Sequence, residues 1–297
     1  MVRVSGTRGP VVVGVDGSQE SYRAVDWAAS YARDEGLALL LLHAYGGGGA
    51  GLRIELAAQS AASGHTEPAR RTCDLAVTYA RSVAGTSLEV VGSLHVGTAA
   101  GGLRDASRSA TLVVVGSRGH GGLTGLLLGS VAVPVSAHAV CPVVVVRGAE
   151  APEVPAGAPV VVGVDGSGEA IQAVGFAMAE AQRHGCPLHA VMAWDELWIG
   201  APELQASVPT AAELQEDAVR MVSETLAGWS ERYPDVRVAR VVERGHPGRV
   251  LLREAAGARL VVVGSRGRGG FGGLLLGSTS QTLLHRSPVD VAVVRRS

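Results

Sequence analysis

The 297-residue chain has little of what would announce a partner or a compartment. Its 26 Lys and Arg almost balance its 27 Asp and Glu, a formal net charge of -1, so there is no broad basic field for nucleic acid and no acidic tail. The three cysteines, Cys73, Cys141 and Cys186, form no CxxC pair. That argues against a disulfide framework or a cysteine-held metal and fits a reducing cytosol. The N-terminal MVRVSGTRG lacks the apolar core of a signal peptide. No stretch supplies the roughly 20 unbroken apolar residues that a bilayer span needs. The expectation is a soluble, cytoplasmic protein with neither membrane nor nucleic acid among its partners. Aromatic residues are 4% of the chain, a compositional bias that says little about mechanism.

Several chemical signatures are missing too. There is no GxxxxGK[ST] of a Walker-type phosphate loop, no GxSxG nucleophile elbow and no HExxH. Gly267, Gly269 and Gly272 formally satisfy GxGxxG, but they follow a fourth strand, and no ribose-binding acid lies about 20 residues beyond on a strand. The nine histidines share no ligand spacing. GGGG at 46–49 is followed by no strand-to-helix turn carrying Lys-Ser/Thr, and reads as a flexible loop.

What is present is a duplication. PVVVGVDGS occurs at 10–18 and again at 159–167, and each copy is followed about one hundred residues later by LVVVGSRG, a glycine-rich stretch and LLLGS. Internal repeats are sought first because they fix the architecture. Here Gly116, Gly119, Gly129 and Ser130 recur as Gly264, Gly267, Gly277 and Ser278, a constant offset of 148. A first domain over 1–148, a Pro/Ala/Gly-rich linker over 149–158 and a second domain over 159–297 follow.

Within copy one, Val11–Val15, Leu37–Ala44, Leu88–Val96, Leu112–Val115 and Val143–Val146 are short aliphatic runs separated by stretches of helical spacing. Near-continuous apolar strands are what a parallel sheet covered on both faces requires. The fold class is therefore α/β: two doubly wound, Rossmann-like domains, each with a five-stranded parallel sheet in the order 3-2-1-4-5. In copy two, Leu214, Ala218, Met221, Val222, Thr225, Leu226 and Trp229 fall on one helical face behind a Thr210–Glu213 capping box, so Met221 and Trp229 are expected in the core, as is Trp27 in copy one. The segments 45–64 and 194–210 read as mobile insertions.

Ligands of such a sheet bind at the carboxyl ends of the strands where the connections reverse, which makes Asp16 and Gly116 spatial neighbours. Glycines of the GxxG-x9-GS block permit positive φ and let phosphate oxygens approach main-chain N–H groups, and a following helix N-terminus favours an anion. Pro134 delays or kinks that helix in copy one. Asp16 and Asp165, acceptor-only carboxylates, suit a ribose hydroxyl or an adenine amino group at the opposite pole. The competing reading, that Asp-Gly-Ser only makes a turn and an N-cap, is outweighed by its repetition beside a repeated glycine block.

With VGVDGS and GSRG-x9-GS each present twice, the chain resembles tandem universal stress proteins of the ATP-binding type over essentially its whole length. The resemblance implies one ATP per domain and back-to-back pairing of domains through their last strands. It also implies a homodimer through last-strand edges or domain faces, and Mg2+ accompanying the nucleotide. Residue by residue it places Asp16 and Asp165 on the nucleoside and Ala44 and Ala193 beside adenine. Val115 and Val263 would line the base or sugar pocket. Gly116, Gly119, Gly129 and Ser130, with Gly264, Gly267, Gly277 and Ser278, would form the ribose and phosphate loop. Arg118 and Arg266, inside GxxG, reach either phosphate or solvent. Copy two departs by replacing the Cys141-Pro142 pair with Val289-Asp290, and copy one by carrying Ala132 where copy two has Ser280. The implied role is an ATP-binding regulator of the stress response that holds rather than turns over ATP. A slow Mg-dependent ATPase and a scaffold with a structural nucleotide are the rivals; replacement of His120 by Arg268 in copy two argues against a shared catalytic histidine.

Overall fold

The computed structural model describes residues 8–46, 66–85, 87–119, 128–148, 154–194, 210–268 and 275–295. Contacts divide the chain into two units, residues 1–150 and 151–296. Unit one runs β1 (Val11–Gly14), α1 (Gln19–Asp34), β2 (Leu39–Gly46), α2 (Thr66–Ala84), β3 (Val90–Gly97), α3 (Ala99–Ala106), β4 (Leu112–Gly116), α4 (Ala132–His138) and β5 (Val143–Val146). Its strands are parallel in the order β3-β2-β1-β4-β5.

Unit two repeats the plan. β6 (Val160–Gly163), α5 (Gly168–His184), β7 (Leu188–Trp194), α6 (Ala211–Leu226), the short α7 (Trp229–Arg232), β8 (Val238–Arg244), α8 (Pro247–Ala255), β9 (Leu260–Gly264), α9 (Ser278–Arg286) and β10 (Asp290–Val294) give a parallel sheet ordered β8-β7-β6-β9-β10. Central strands are aliphatic on both faces because helices cover both: in unit one α1 packs with α2 on one side and α3 with α4 on the other. Val11, Val13, Val113, Val114, Val160, Val161 and Val262 are wholly buried.

Local signals start the helices where the sequence puts them. Ser18 and Ser167 cap α1 and α5 by accepting from Ser21 N and Ala170 N. Thr210 and Glu213 form the expected capping box of α6. α4 begins at Ala132, two positions later than α9 begins at the equivalent of Ser130, and it lacks a side-chain cap, the late start that Pro134 imposes. The core expectation for α6 holds for Ala218, Val222, Thr225 and Leu226, which are buried, but Met221 and Trp229 stay half-exposed. Trp229 lies against α5 at Gly175, where any β-carbon would strike its ring. Trp27 is likewise half-exposed and stacks on Tyr31. Residues 47–65 and 195–209, which hold most of the two expected insertions and three of the four consecutive glycines, lie outside the described residues, as does His120.

Candidate functional site

Parallel register aligns the carboxyl ends of the strands in a row. Ala44 pairs with His95 across β2 and β3, and the β1–β2 register that sets Gly14 against Leu42, extended by two residues, brings Asp16 beside Ala44. The β1–β4 register, extended likewise, places Gly116 beside Val15. Unit two repeats the row: Ala193 pairs with Glu243, and Asp165 falls beside Ala193. Asp16 and Gly116 are therefore the neighbours that the doubly wound reading requires.

The VDGS turn is both a turn and a cap. Asp16 Oδ1 accepts from Ser18 N at 2.9 Å and Ser18 Oγ at 2.6 Å, and Asp165 Oδ1 accepts from Ser167 N at 3.0 Å. Gly17 and Gly166 hold the turn at φ 85° and 74°, conformations that favour glycine. The second oxygen of each aspartate faces the other motif. A β-carbon at Gly119 would overlap Asp16 Oδ2 and one at Gly267 would overlap Asp165 Oδ2, while Arg268 N donates to Asp165 Oδ2 at 3.1 Å. Motifs a hundred residues apart in the chain thus meet, with the same geometry, in both units.

The glycine block itself is folded over backbone. Gly129 N donates to Ser117 O at 2.7 Å and Gly277 N to Ser265 O at 2.8 Å, so the end of each loop returns onto its beginning. In copy two Ser280 Oγ, buried, ties this return by donating toward Ser265 O and Gly277 O; Ala132 leaves copy one without that tie. Ser278 is the first residue of α9, whereas Ser130 precedes α4 by two residues and is exposed.

One expectation needs correction. The block glycines Gly116, Gly119, Gly129, Gly264, Gly267 and Gly277 have no positive φ; close approach is what some of them provide instead. At Gly116 a β-carbon would stand 2.9 Å from Glu20 O, and at Gly264 2.8 Å from Glu169 Cβ, so these two let a helix N-terminus settle on the sheet edge. Arg118 and Arg266 are open to solvent on one side, and each lies near the first-turn acid of the helix below, Arg118 Nε 4.0 Å from Glu20 Oε1 and Arg266 Nη2 3.7 Å from Glu169 Oε1. Val115 and Val263 are buried and sit one layer beneath the edge, against Gly14 and Gly163.

Sequence reading missed the acids of those pairs, although DGSQE and DGSGE repeat them at the offset of the aspartates. It also missed Arg295, which donates to Leu275 O at 3.1 Å beside the loop and whose pKa is lowered by burial and then by the Arg266 charge. On β2, His43 Nδ1 donates to Val15 O at 2.7 Å, a tie that Met192 cannot make in unit two. Among the described residues no cluster of three or more His, Cys, Asp or Glu could hold a metal ion.

A sequence model described as the universal stress protein family matches residues 7–147 and 158–295. The chain belongs to the universal stress protein family. A universal stress protein of Mycobacterium tuberculosis H37Rv is 39% identical over 292 residues, covering 97% of each chain. The crystal structure of a universal stress protein from Archaeoglobus fulgidus shares the fold, with a TM-score of 0.69, 22% identity and 97% of each chain covered. A universal stress protein solved in complex with cAMP matches at 27% identity, covering 48% of this chain and 98% of that one, with a TM-score of 0.37. Both units of this universal stress protein carry the site just described.

Proposed function

We propose that each unit binds one adenine nucleotide across the carboxyl edge of its sheet, that the ligand is ATP with Mg2+ carried on its phosphates, and that the protein serves as a nucleotide-holding regulator in the stress response. The observation that carries this reading is the meeting of Asp16 with Gly119, and of Asp165 with Gly267. It puts an acceptor for sugar hydroxyls beside a glycine loop whose Gly-Ser end, 129–130 or 277–278, offers backbone N–H groups and a hydroxyl to phosphate. Ala44 and Ala193 put small side chains in the row where the base would lie.

Holding rather than turnover is supported by the state of the carboxylates. Asp165 accepts from two backbone amides, those of Ser167 and Arg268, an arrangement that presents the carboxylate as a hydrogen-bond acceptor for a sugar hydroxyl. Glu20 and Glu169 lie in the first turns of helices, close to arginines. A cytosolic location and self-association of chains belong to the same reading, the latter measurable by sedimentation.

The deciding experiment is acid denaturation of the purified protein followed by ion-pair chromatography of what it releases. About two ATP per chain supports two holding sites. Mostly ADP would favour the Mg-dependent ATPase, and no nucleotide, with none taken up on addition, would sink the reading in favour of a scaffold.

A further inference from the structure

The two phosphate poles are built from equivalent residues but not from equivalent helices. In unit two α9 begins at Ser278, directly after the last loop glycine, and runs for 9 residues. The N–H groups of Ser278, Thr279 and Ser280, which open it, have no acceptor within the helix, and its N-cap, Gly277, has no side chain to offer one. In unit one α4 has 7 residues, begins only at Ala132, and carries as its third residue Pro134, which has no N–H. Ser130 therefore lies in a turn, outside the helix. Unit two also ties its pole down more firmly. Gly277 N donates to Ser265 O at 2.8 Å, and the buried Ser280 Oγ donates toward the same carbonyl at 3.1 Å and toward Gly277 O at 2.8 Å. Unit one repeats the first of these bonds, Gly129 N to Ser117 O, but Ala132, the counterpart of Ser280, cannot make the others.

A second feature of unit two points to a ligand. The Ser265 side chain is wholly buried, and its hydroxyl has no hydrogen-bond partner among the described residues. Side chains alternate along a strand, so Ser265 shares the face of Val263, which meets Leu251 of α8 around Gly163. α9 packs on that face too: its Thr282 lies against Gly248 of α8, and its Ser280 reaches the Ser265 carbonyl. The unpaired hydroxyl therefore lies at the first turn of α9, beside the open N–H groups. A buried hydroxyl without a partner is uncommon, and a phosphate oxygen would give this one an acceptor.

Building on the nucleotide reading above, we infer that the two sites are not equivalent: site two is the tight, slowly exchanging site, and site one is the loose one that follows the nucleotide concentration around it. Site two offers phosphate the N–H groups of a helix end and a hydroxyl, all fixed before the ligand arrives. In site one the first helical N–H groups, those of Ala132 and Val133, are displaced from the Gly-Ser end, and the loop return is less tied. Fixed donors spare the ligand the cost of ordering them, and each hydrogen bond to a charged group is worth about tenfold or more in affinity. These differences lie at the phosphate pole, so they act on ATP and not on adenosine. One chain then combines a filled site that stabilises its unit with a site whose occupancy reports supply.

The test uses the full chain, stripped of nucleotide, with one site removed at a time: Asp16→Ala leaves site two and Asp165→Ala leaves site one. Calorimetric titration gives the Kd of ATP and of adenosine for each. Site two should prefer ATP to adenosine by a factor at least about tenfold larger than site one does, and ATP-loaded Asp16→Ala should keep its nucleotide through a dialysis that empties Asp165→Ala. Variants with both aspartates intact read the cause, and they decide the matter where melts show that an aspartate replacement unfolds its unit. Ser280→Ala should weaken the tighter of the two ATP sites, and Ala132→Ser with Pro134→Thr, the residues of copy two, should tighten the looser. Ser265→Ala removes a buried hydroxyl without a partner, so it should leave the ligand-free melting temperature unchanged or raised and yet weaken ATP at the tighter site about tenfold. ATP preferences that agree within about twofold, or a stronger one in site one, overturn the inference, as do Ser280→Ala and Ser265→Ala chains that both bind ATP as the parent does. An unmodified chain that takes up neither ATP nor adenosine would overturn the nucleotide reading itself, and this inference with it.

Discussion

Two glycines of one motif should fail in opposite ways. A β-carbon at Gly116 would lie 2.9 Å from Glu20 O and 3.0 Å from Glu20 C, backbone atoms in the first turn of α1 that cannot swing aside. At Gly129 the nearest atoms, Arg118 Cα and Ser117 O, are 3.4 Å away, an ordinary contact, and neither position has a positive φ that alanine would resist. Gly116→Ala is an overpacking substitution, with a cost of about 1–3 kcal/mol. For a unit of this size that lowers the ligand-free melting temperature by about 3–10 °C. Gly129→Ala should stay within about 0.5 kcal/mol of the parent, helped by the smaller entropy of its unfolded chain. With ATP at one hundred times its Kd, the parent gains about 2.7 kcal/mol in each occupied unit. Gly129→Ala should lose that gain in unit one, because its methyl group stands where phosphate would approach the N–H groups. Thermal melts of nucleotide-stripped protein, with and without added ATP, separate the two effects. A ligand-free melt of Gly116→Ala that matches the parent would refute the packing argument. A Gly129→Ala chain that keeps its full ATP-induced shift would refute the phosphate argument.

Other consequences can be checked directly. Burial pushes the Cys141 thiol up to about 12, and burial also raises Cys73 and Cys186. At pH 8 only about one Cys141 in ten thousand is thiolate, so a chromogenic disulfide should react slowly with the native chain and rapidly with three thiols in denaturant; fast native labelling would contradict this. Glu213 has its pKa lowered by the Thr210 N–H, then by the Thr210 hydroxyl, both of which donate to it. Its folded value lies below its unfolded one, so its support for α6 is complete above the ordinary glutamate range and is lost as pH falls through the lowered value. Protection of the first-turn amides of α6, taken relative to their intrinsic exchange at each pH, should therefore fall on acidification, and in Glu213→Ala it should be low at all pH values; protection that ignores pH in the parent would remove the capping box from the account.

The fold was legible because its signals are local and repeated. Aliphatic runs mark the strands, Ser18, Ser167 and Thr210 cap helices as their positions suggest, and Pro134 delays α4. Convergence of Asp16 on the glycine loop was legible as well, since strand order alone makes β1 and β4 neighbours. What a pattern of residue types cannot carry is which atoms approach which. The glycines at 116 and 264 looked like ligand glycines, yet the first partner of their missing side chains is a helix turn. Arg118 and Arg266 are poised by acids one hundred residues earlier, a long-range pairing visible only as a second repeat within DGSQE and DGSGE. Met221 satisfied the helical period of α6, but Gly166 and Arg268 rather than the core receive it.

The central place of β1 has a consequence for how each unit is made. Val11 pairs with Leu39 on one side and with Leu112 on the other. At a synthesis rate of about 5–20 residues per second, the second partner leaves the ribosome about 4–15 seconds after the first. Through that interval a nascent chain presents VVVG with one edge unpaired and aliphatic on both faces, the kind of strand that recruits other chains. Unit two repeats the delay between Leu188 and Leu260, the two partners of Val160. Each unit therefore closes its sheet late and around long-range contacts, a topology of slow folders, and the interval before β4 or β9 docks is when chaperone capture would count most.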